Sequence, residues 1–135
     1  MTKVNHLNQP PIINCSLCCI FKNKESATAF ERELEDYFFE CFEIVVLRCG
    51  EVWVTISQTG HLECWDMSEA LHKLFETISC HLGQIKEWSN IWQGTFLLDI
   101  ECHKRDGYPA IIFESDIMRY LELLNAEISL DMYDE

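Results

Sequence analysis

Basic residues are scarce in this sequence. Its 135 residues include 10 lysines and arginines against 23 aspartates and glutamates, which gives a formal net charge of −13. Proteins that bind nucleic acid or anionic lipid directly depend on lysine and arginine, so we expect neither ligand here. The deficit favours a cationic partner, and an acidic surface that only keeps the protein in solution is the alternative.

Long hydrophobic runs are missing as well. No apolar stretch approaches the ~20 residues of a membrane-spanning helix. Residues 1–14 lack the basic stretch and apolar core of a secretory signal. We therefore expect a cytoplasmic protein whose eight cysteines are reduced. Because the start is polar and contains Pro10 and Pro11, we predict a flexible tail over residues 1–11 and one domain over residues 12–135.

Signatures of catalysis and cofactor binding are also absent. The five glycines stand apart from one another, and neither G-x-S-x-G nor H-E-x-x-H occurs. Cys15, Cys18 and Cys19 form a C-x-x-C-C cluster, but the second ligand pair of a zinc site does not follow. We predict no enzyme activity, no cofactor and no metal, and we assign most cysteines to the core.

Two kinds of chemistry stay open. A cysteine and a histidine that are distant in sequence can meet in space, so a small cysteine- or histidine-dependent enzyme or a metal-binding protein remains an alternative. Asp99 and Glu101 share one face of a predicted strand, near the spacing of a glycosidase pair. A solvated sheet face is the simpler explanation for these two carboxylates.

Apolar periodicity alternates along the chain between the strand and helix patterns. Strands are predicted at residues 12–21, 42–49, 51–57, 95–103, 110–113 and 127–133, and helices at residues 26–41, 66–82, 84–92 and 115–125. Residues 58–65 are predicted to be a loop, Gly83 to end the second helix and Ser115 to cap the fourth. The order β-α-β-β-α-α-β-β-α-β predicts a single α+β domain, with a largely antiparallel sheet and helices packed on one face.

Acidic residues interleaved with aromatics indicate two candidate interfaces. Aromatic side chains would supply buried contact area, and carboxylates would steer a basic partner. The first interface is the open face of the sheet, with Trp53, Asp99, Glu101, Glu127, Asp131 and Tyr133. The second is the outer face of the first helix, with Glu31, Glu35 and Asp36.

Three motifs lie in the C-terminal part of the chain. They are Gly50-Glu51-Val52-Trp53 at a strand start, Ser115-Asp116-Ile117 at a helix start, and the closing run L-N-A-E-I-S-L-D-M-Y at residues 124–133. On these motifs, residues 50–133 resemble a family of small bacterial domains of unknown function, which ends in L-G-A-x-L-D-I-D-I-Y. Asn125 stands where that family has glycine, and its glycine- and proline-rich segment near the first helix is missing.

In size, acidity and lack of catalytic motifs, the chain also resembles bacterial toxin-immunity proteins, including those of contact-dependent growth inhibition systems. Such proteins often neutralise basic nuclease toxins by covering the active site or the substrate-binding surface. The resemblance implies stoichiometric binding of a cognate toxin domain. A regulatory interaction module with a different partner is the remaining hypothesis.

Overall fold

A computed structural model of the chain describes residues 8–134, which form five strands and four α-helices. The strands are β1 (Ile12–Phe21), β2 (Ile44–Val46), β3 (Val52–Glu63), β4 (Thr95–Lys104) and β5 (Glu127–Asp134). The helices are α1 (Lys24–Phe38), α2 (Met67–Phe75), α3 (Leu82–Ile91) and α4 (Ser115–Leu124). None of these helices is both long and apolar enough to cross a membrane.

The five strands form one sheet in the order β2-β3-β1-β4-β5. All neighbours are antiparallel except β4 and β5, which run parallel and are connected through α4. The central strand β1 therefore pairs with β3 on one side and with β4 on the other. The α+β class and the predicted order of elements are confirmed.

The hydrophobic core lies between the helices and one face of the sheet. Alternate strand residues point into it, as the period of two in a strand requires. The buried strand residues include Ile13, Cys15, Leu17, Cys19, Val52, Val54, Phe96, Leu98, Ile100 and Cys102. The helices contribute Ala27, Phe30, Leu34, Met67, Leu71, Leu74, Ile85, Ile117 and Leu121 to the same cluster. The opposite face of the sheet carries no helix in the described part of the chain, and we call it the open face.

Several segment boundaries differ from the prediction, including the end of α1 at Phe38 and the short β2 at Ile44–Val46. Residues 58–63 belong to β3 instead of a loop, because the ten-residue β1 pairs along its whole length and places Ile12 opposite Glu63. The second helix ends at Phe75, and the 3-10 turn Ser79–His81 leads directly into α3. Gly83 is accordingly an early residue of α3 and does not end a helix.

The segment before α4 also differs in detail. The predicted strand at residues 110–113 is present as one bridge, in which Ala110 pairs with Asp66. Ser115 is the first helical residue and makes no capping hydrogen bond; the cap position is occupied by Glu114. At the other end, Asn125 takes the left-handed conformation with φ 52° and ends α4 as predicted.

The predicted N-terminal tail is only partly described, since residues 1–7 lie outside the described range. The backbone of residues 9–11 is fixed to the rest of the domain. The Pro10 carbonyl accepts a hydrogen bond from Arg105 Nε at 2.7 Å, and the Pro11 carbonyl accepts one from the Cys64 N–H at 3.2 Å. These carbonyl groups thus contact the loop after β4 and the end of β3, and the flexible tail over residues 1–11 stays a prediction.

Gly94 provides a test of the close packing between the α3–β4 turn and β1. A methyl group at this position would lie 2.6 Å from Cys19 Sγ and 2.6 Å from Phe21 Cε1, both of which are buried. We expect Gly94→Ala to lower the free energy of unfolding by about 1–3 kcal/mol, as overpacking does. Gly83→Ala is the control, since nothing lies within 4 Å of its added methyl group. Urea unfolding of both variants measures the difference, and equal stability of the two would contradict it.

Candidate functional site

The open face carries three carboxylates close together on β4 and β5. Asp99 and Glu101 are alternate residues of β4, and the parallel register places Glu101 directly opposite Asp131 of β5. Asp99 is opposite Ser129, one position along the same face. We call Asp99, Glu101 and Asp131 the acidic cluster. Like charges directly opposite each other in a sheet destabilise it, so this arrangement has a cost in the free protein.

The electrostatic effect of the cluster is visible at Asp99. Partial burial raises the pKa of this carboxyl above its usual range, and the negative charges of Glu101 and Asp131 raise it further. Both causes disfavour the ionised form. A positive charge placed beside the cluster would therefore be attracted by all three groups and would relieve their repulsion.

Tyr133 and Glu127 extend the same face along β5. The Tyr133 ring stacks on His103 of β4, with ring centroids 4.7 Å apart and planes inclined by 14°. The charge of Asp131 raises the pKa of the Tyr133 hydroxyl. His103 Nε2 lies 3.9 Å from Glu101 Oε2, so this imidazole borders the cluster. The alternation of β4 predicts His103 on this face, but its stacking on Tyr133 depends on the β4–β5 register.

Trp53 lies on the open face but away from the cluster. It belongs to β3, where it pairs with Ile20 of β1, and Ile20 in turn pairs with Thr95 of β4. Trp53 and Asp99 are therefore two strand spacings of ~4.8 Å apart across the sheet and four residues of ~3.3 Å apart along it. These two separations lie at right angles, so the direct distance is about 16 Å. The sheet therefore does not bring the predicted aromatic anchor and the carboxylates into contact.

The predicted acidic face of α1 is only partly present. Glu31 is buried, and its carboxylate accepts a hydrogen bond from the Phe42 N–H at 3.1 Å. The prediction that Glu31 belongs to an outer surface is wrong, because its side chain turns inward to accept the hydrogen bond of a backbone N–H that follows the helix. Glu35 is half-buried and Asp36 is exposed, so these two remain available to a partner.

An exposed aromatic beside Asp36 was missed from the sequence. Phe39 is 91% exposed and takes the left-handed conformation with φ 59°, which is uncommon for a bulky residue. It lines a shallow depression together with Glu35, Asp36 and Glu40. Its position in an apolar, aromatic-rich run at residues 37–42 predicts burial, so no sequence pattern indicates its exposure. We call Glu35, Asp36, Phe39 and Glu40 the α1-end patch.

The N-terminal cysteines are divided between the two faces of β1, as predicted. Cys15 and Cys19 are fully buried in the core, while Cys18 points to the other face and lies 3.8 Å from Thr55 Oγ1. Burial raises the pKa of Cys15 to about 12 and also raises the pKa of Cys19. Both thiols are therefore poor nucleophiles and poor metal ligands near neutral pH. Within residues 8–134, no three side chains of His, Cys, Asp or Glu form a group that could hold a metal ion.

His72 and Asp116 form an ion pair that connects α2 with α4. The Nε2 atom of His72 lies 2.9 Å from Asp116 Oδ2, and Nδ1 lies 2.8 Å from the Ser68 carbonyl. Both ring nitrogens face acceptors, an arrangement that the doubly protonated imidazolium satisfies. The hydrogen bond that His72 donates to Asp116 accordingly raises the pKa of His72, and the same bond lowers the pKa of Asp116. With both nitrogens engaged, this histidine is poorly placed to act as a general base.

The His72–Asp116 pair generates a pH-dependent prediction. Because the pKa of His72 is raised in the folded protein, its contribution to stability is complete at low pH and is lost as pH rises through that pKa. Removing the Asp116 charge with Asp116→Asn should lower the pKa of His72. Titration of the histidine ring signals by NMR measures this value, with Glu122→Gln as a control of equal charge change. An unchanged His72 titration in Asp116→Asn would contradict the assigned cause.

The partial burial of Asp99 and its repulsion by Glu101 and Asp131 generate a second prediction. A raised carboxyl pKa means that ionisation is less favourable in the folded chain than in the unfolded chain, so stability falls as pH rises through the ionisation range. We expect Asp99→Asn to raise the free energy of unfolding at pH 7 by about 0.5 kcal/mol, a small value because the side chain is partly solvated. The gain should vanish below about pH 3, where both states are protonated. Urea unfolding at both pH values tests this, and a less stable variant at pH 7 would refute it.

Known proteins provide no relative for this chain: none of the protein-family models, curated proteins or solved structures compared with it matches. Its function therefore has to be inferred from its own residues and contacts, foremost those of the acidic cluster.

Proposed function

We propose that this chain is an acidic immunity protein, which binds a cognate basic toxin domain in the cytoplasm and neutralises it by stoichiometric occlusion. The observation that carries the proposal is the acidic cluster on the open face of the sheet. Asp99, Glu101 and Asp131 occupy neighbouring positions of two strands, with Glu101 directly opposite Asp131. Lysine and arginine side chains of a partner would relieve the repulsion that this arrangement creates.

The surroundings of the cluster support a cationic partner. Among the described strand residues that point to the open face, none is lysine or arginine. Arg105, which follows β4, is already paired with Glu63. The negative charge of the cluster is therefore not neutralised by lysine or arginine of the face, and the basic group that borders it is His103, with Nε2 3.9 Å from Glu101 Oε2.

The rigid sheet beneath the cluster also suits a binding function. Asp99 and Glu101 lie on β4, whose alternate residues are buried beneath the helices. Asp131 lies on β5, which pairs with β4 over eight residue pairs. The carboxylates are thus held in place before the partner arrives, which lowers the entropy cost of association. Surface charges of this kind act mainly on the association rate, and electrostatic steering raises rates from about 10⁵–10⁶ to as much as 10⁸–10⁹ M⁻¹s⁻¹ at low salt.

A toxin is the kind of partner that the chain's resemblance to immunity proteins implies. Nuclease toxins carry basic surfaces for their nucleic acid substrate, and an acidic protein that covers such a surface excludes the substrate. A nucleic-acid-binding surface and the acidic cluster are complementary in charge, so one interface can provide both affinity and inhibition.

The first test combines genetics with a binding measurement. The proposal predicts a reading frame for a basic protein immediately upstream of this chain's own, and that protein is the candidate toxin. Its expression alone should stop growth of a host cell, and co-expression of the chain should restore growth and yield a one-to-one complex. Restored growth without a complex, or a neighbouring protein without toxicity, would contradict the proposal.

Three variants with equal charge change then locate the interface. Asp99→Asn, Glu101→Gln and Asp131→Asn together remove the acidic cluster. Glu35→Gln, Asp36→Asn and Glu40→Gln remove the charges of the α1-end patch. The control replaces three exposed glutamates outside the sheet with glutamine, namely Glu76, Glu87 and Glu122.

We expect the acidic-cluster variant to associate with the toxin at least about tenfold more slowly at low ionic strength, with little change at high ionic strength. The control should change the rate much less, because its charges lie on the other side of the sheet. Stopped-flow association kinetics measure all three. If the α1-end variant alone is slow, the interface lies at that patch; if the three rates are equal, charge steering by either surface is refuted.

A further inference from the structure

The strand β5 leaves a long edge of the sheet uncovered. It has eight residues, pairs only with β4, and makes no hydrogen bond through its other edge to any residue in the range 8–134. Alternate residues of an edge strand direct their N–H and C=O groups away from the sheet. Several backbone donors and acceptors of β5 are therefore free to pair with another strand.

Several of the usual protections of a sheet edge are missing from β5, namely a short strand, a bulge, proline and lysine. The opposite edge strand, β2, has only three residues, and short edge strands offer little to pair with. By contrast, the register of β5 with β4 is continuous over eight residue pairs from Glu127 to Asp134, without a bulge. Its sequence E-I-S-L-D-M-Y-D contains no proline and no lysine.

The two faces of β5 differ in chemistry. Ile128, Leu130 and Met132 pair with buried residues of β4 and so point to the helix side, yet they are 48%, 36% and 36% exposed. Part of each of these apolar side chains is therefore accessible to a partner. The other face presents Glu127 and Asp131, with the rest of the acidic cluster next to them on β4.

This pattern disfavours a second copy of the chain as the occupant of the edge. Two β5 strands paired side by side would bring Glu127 and Asp131 of both copies onto one face. Like charges in such positions destabilise strand pairing, and natural sheets use them to prevent edge-to-edge association. The negative charge that excludes a second copy is complementary to a strand that carries lysine or arginine.

We propose that the free edge of β5 binds an extended segment of a protein partner, in which basic and apolar residues alternate. The segment would add a sixth strand to the sheet, a recognition mode in which main-chain hydrogen bonds give affinity and alternate side chains give specificity. Its apolar side chains would cover Ile128, Leu130 and Met132, and its basic side chains would face Glu127 and Asp131. This inference rests on the proposed function and names the segment of the partner that enters the site.

A synthetic peptide of alternating valine and lysine, as long as β5, tests the inference directly. We expect it to shift the backbone amide NMR signals of β5 in isotope-labelled protein, whereas a peptide of alternating valine and glutamate should not.

Two N-methylated forms of the valine–lysine peptide provide the decisive comparison: one is methylated at the backbone nitrogen of every valine, the other at that of every lysine. Valine and lysine N–H groups point to opposite edges of the peptide strand, so only one form loses the hydrogen bonds to β5.

One N-methylated form should therefore bind more than about tenfold more weakly than the other, because three or four backbone hydrogen bonds are lost while charge and composition are the same. A variant pair provides a second readout. Leu130→Ser should weaken peptide binding several-fold, while Met118→Ser, on the exposed side of α4, should leave it unchanged.

The outcomes separate this inference from the proposed function. If both N-methylated forms bind equally and the acidic-cluster variant weakens both, the edge does not pair with a strand, although a cationic partner is still favoured. If the acidic-cluster variant binds the peptide as the wild type does, the charge contribution required by the proposed function fails as well. A dimer of the free chain that pairs through β5 in solution would overturn the choice of occupant.

Discussion

The pairing of β1 with two antiparallel neighbours is the constraint from which the arrangement of the site follows. Cys15, Leu17 and Cys19 of this central strand are buried beneath the helices. A slip of one residue would turn all of them to the open face, so the register of β1 is strongly specified. The register of β4 follows from β1, and that of β5 follows from β4. The core on one side of the sheet thereby determines where the carboxylates lie on the other.

The acidic cluster depends on that core for its stability. Repulsion between Glu101 and Asp131 opposes the pairing of β4 and β5, and the raised pKa of Asp99 shows that the face disfavours a further negative charge. The buried residues on the other side of β4, such as Leu98 and Ile100, offset this cost through apolar burial. A charged surface that opposes folding in this way is typical of functional sites, where local rules are violated and compensated elsewhere.

The sequence predicted which residues share a face but not how the strands are arranged. Alternation in β4 placed Asp99 and Glu101 correctly on the solvent side, because the period of a strand is a local property. The separation of Trp53 from Asp131 depends on the strand order β3-β1-β4-β5, which is set by long-range pairing. Hydrophobic periodicity also does not predict side-chain hydrogen bonds. The burial of Glu31, whose carboxylate accepts a hydrogen bond from the Phe42 N–H, could therefore not be predicted.

The edge strand β5 would combine electrostatic attraction of a partner with selectivity between partners. Charge alone would attract any basic protein to the acidic cluster, and such attraction discriminates poorly between partners. An edge strand with an apolar face and an acidic face imposes a further condition, since an added strand must alternate basic and apolar residues in the matching register. The exposed side chains of Ile128 and Leu130 would be covered only by a segment that meets this condition. The negative charge of β5 therefore acts twice: it disfavours pairing with a second copy, and it attracts a basic strand.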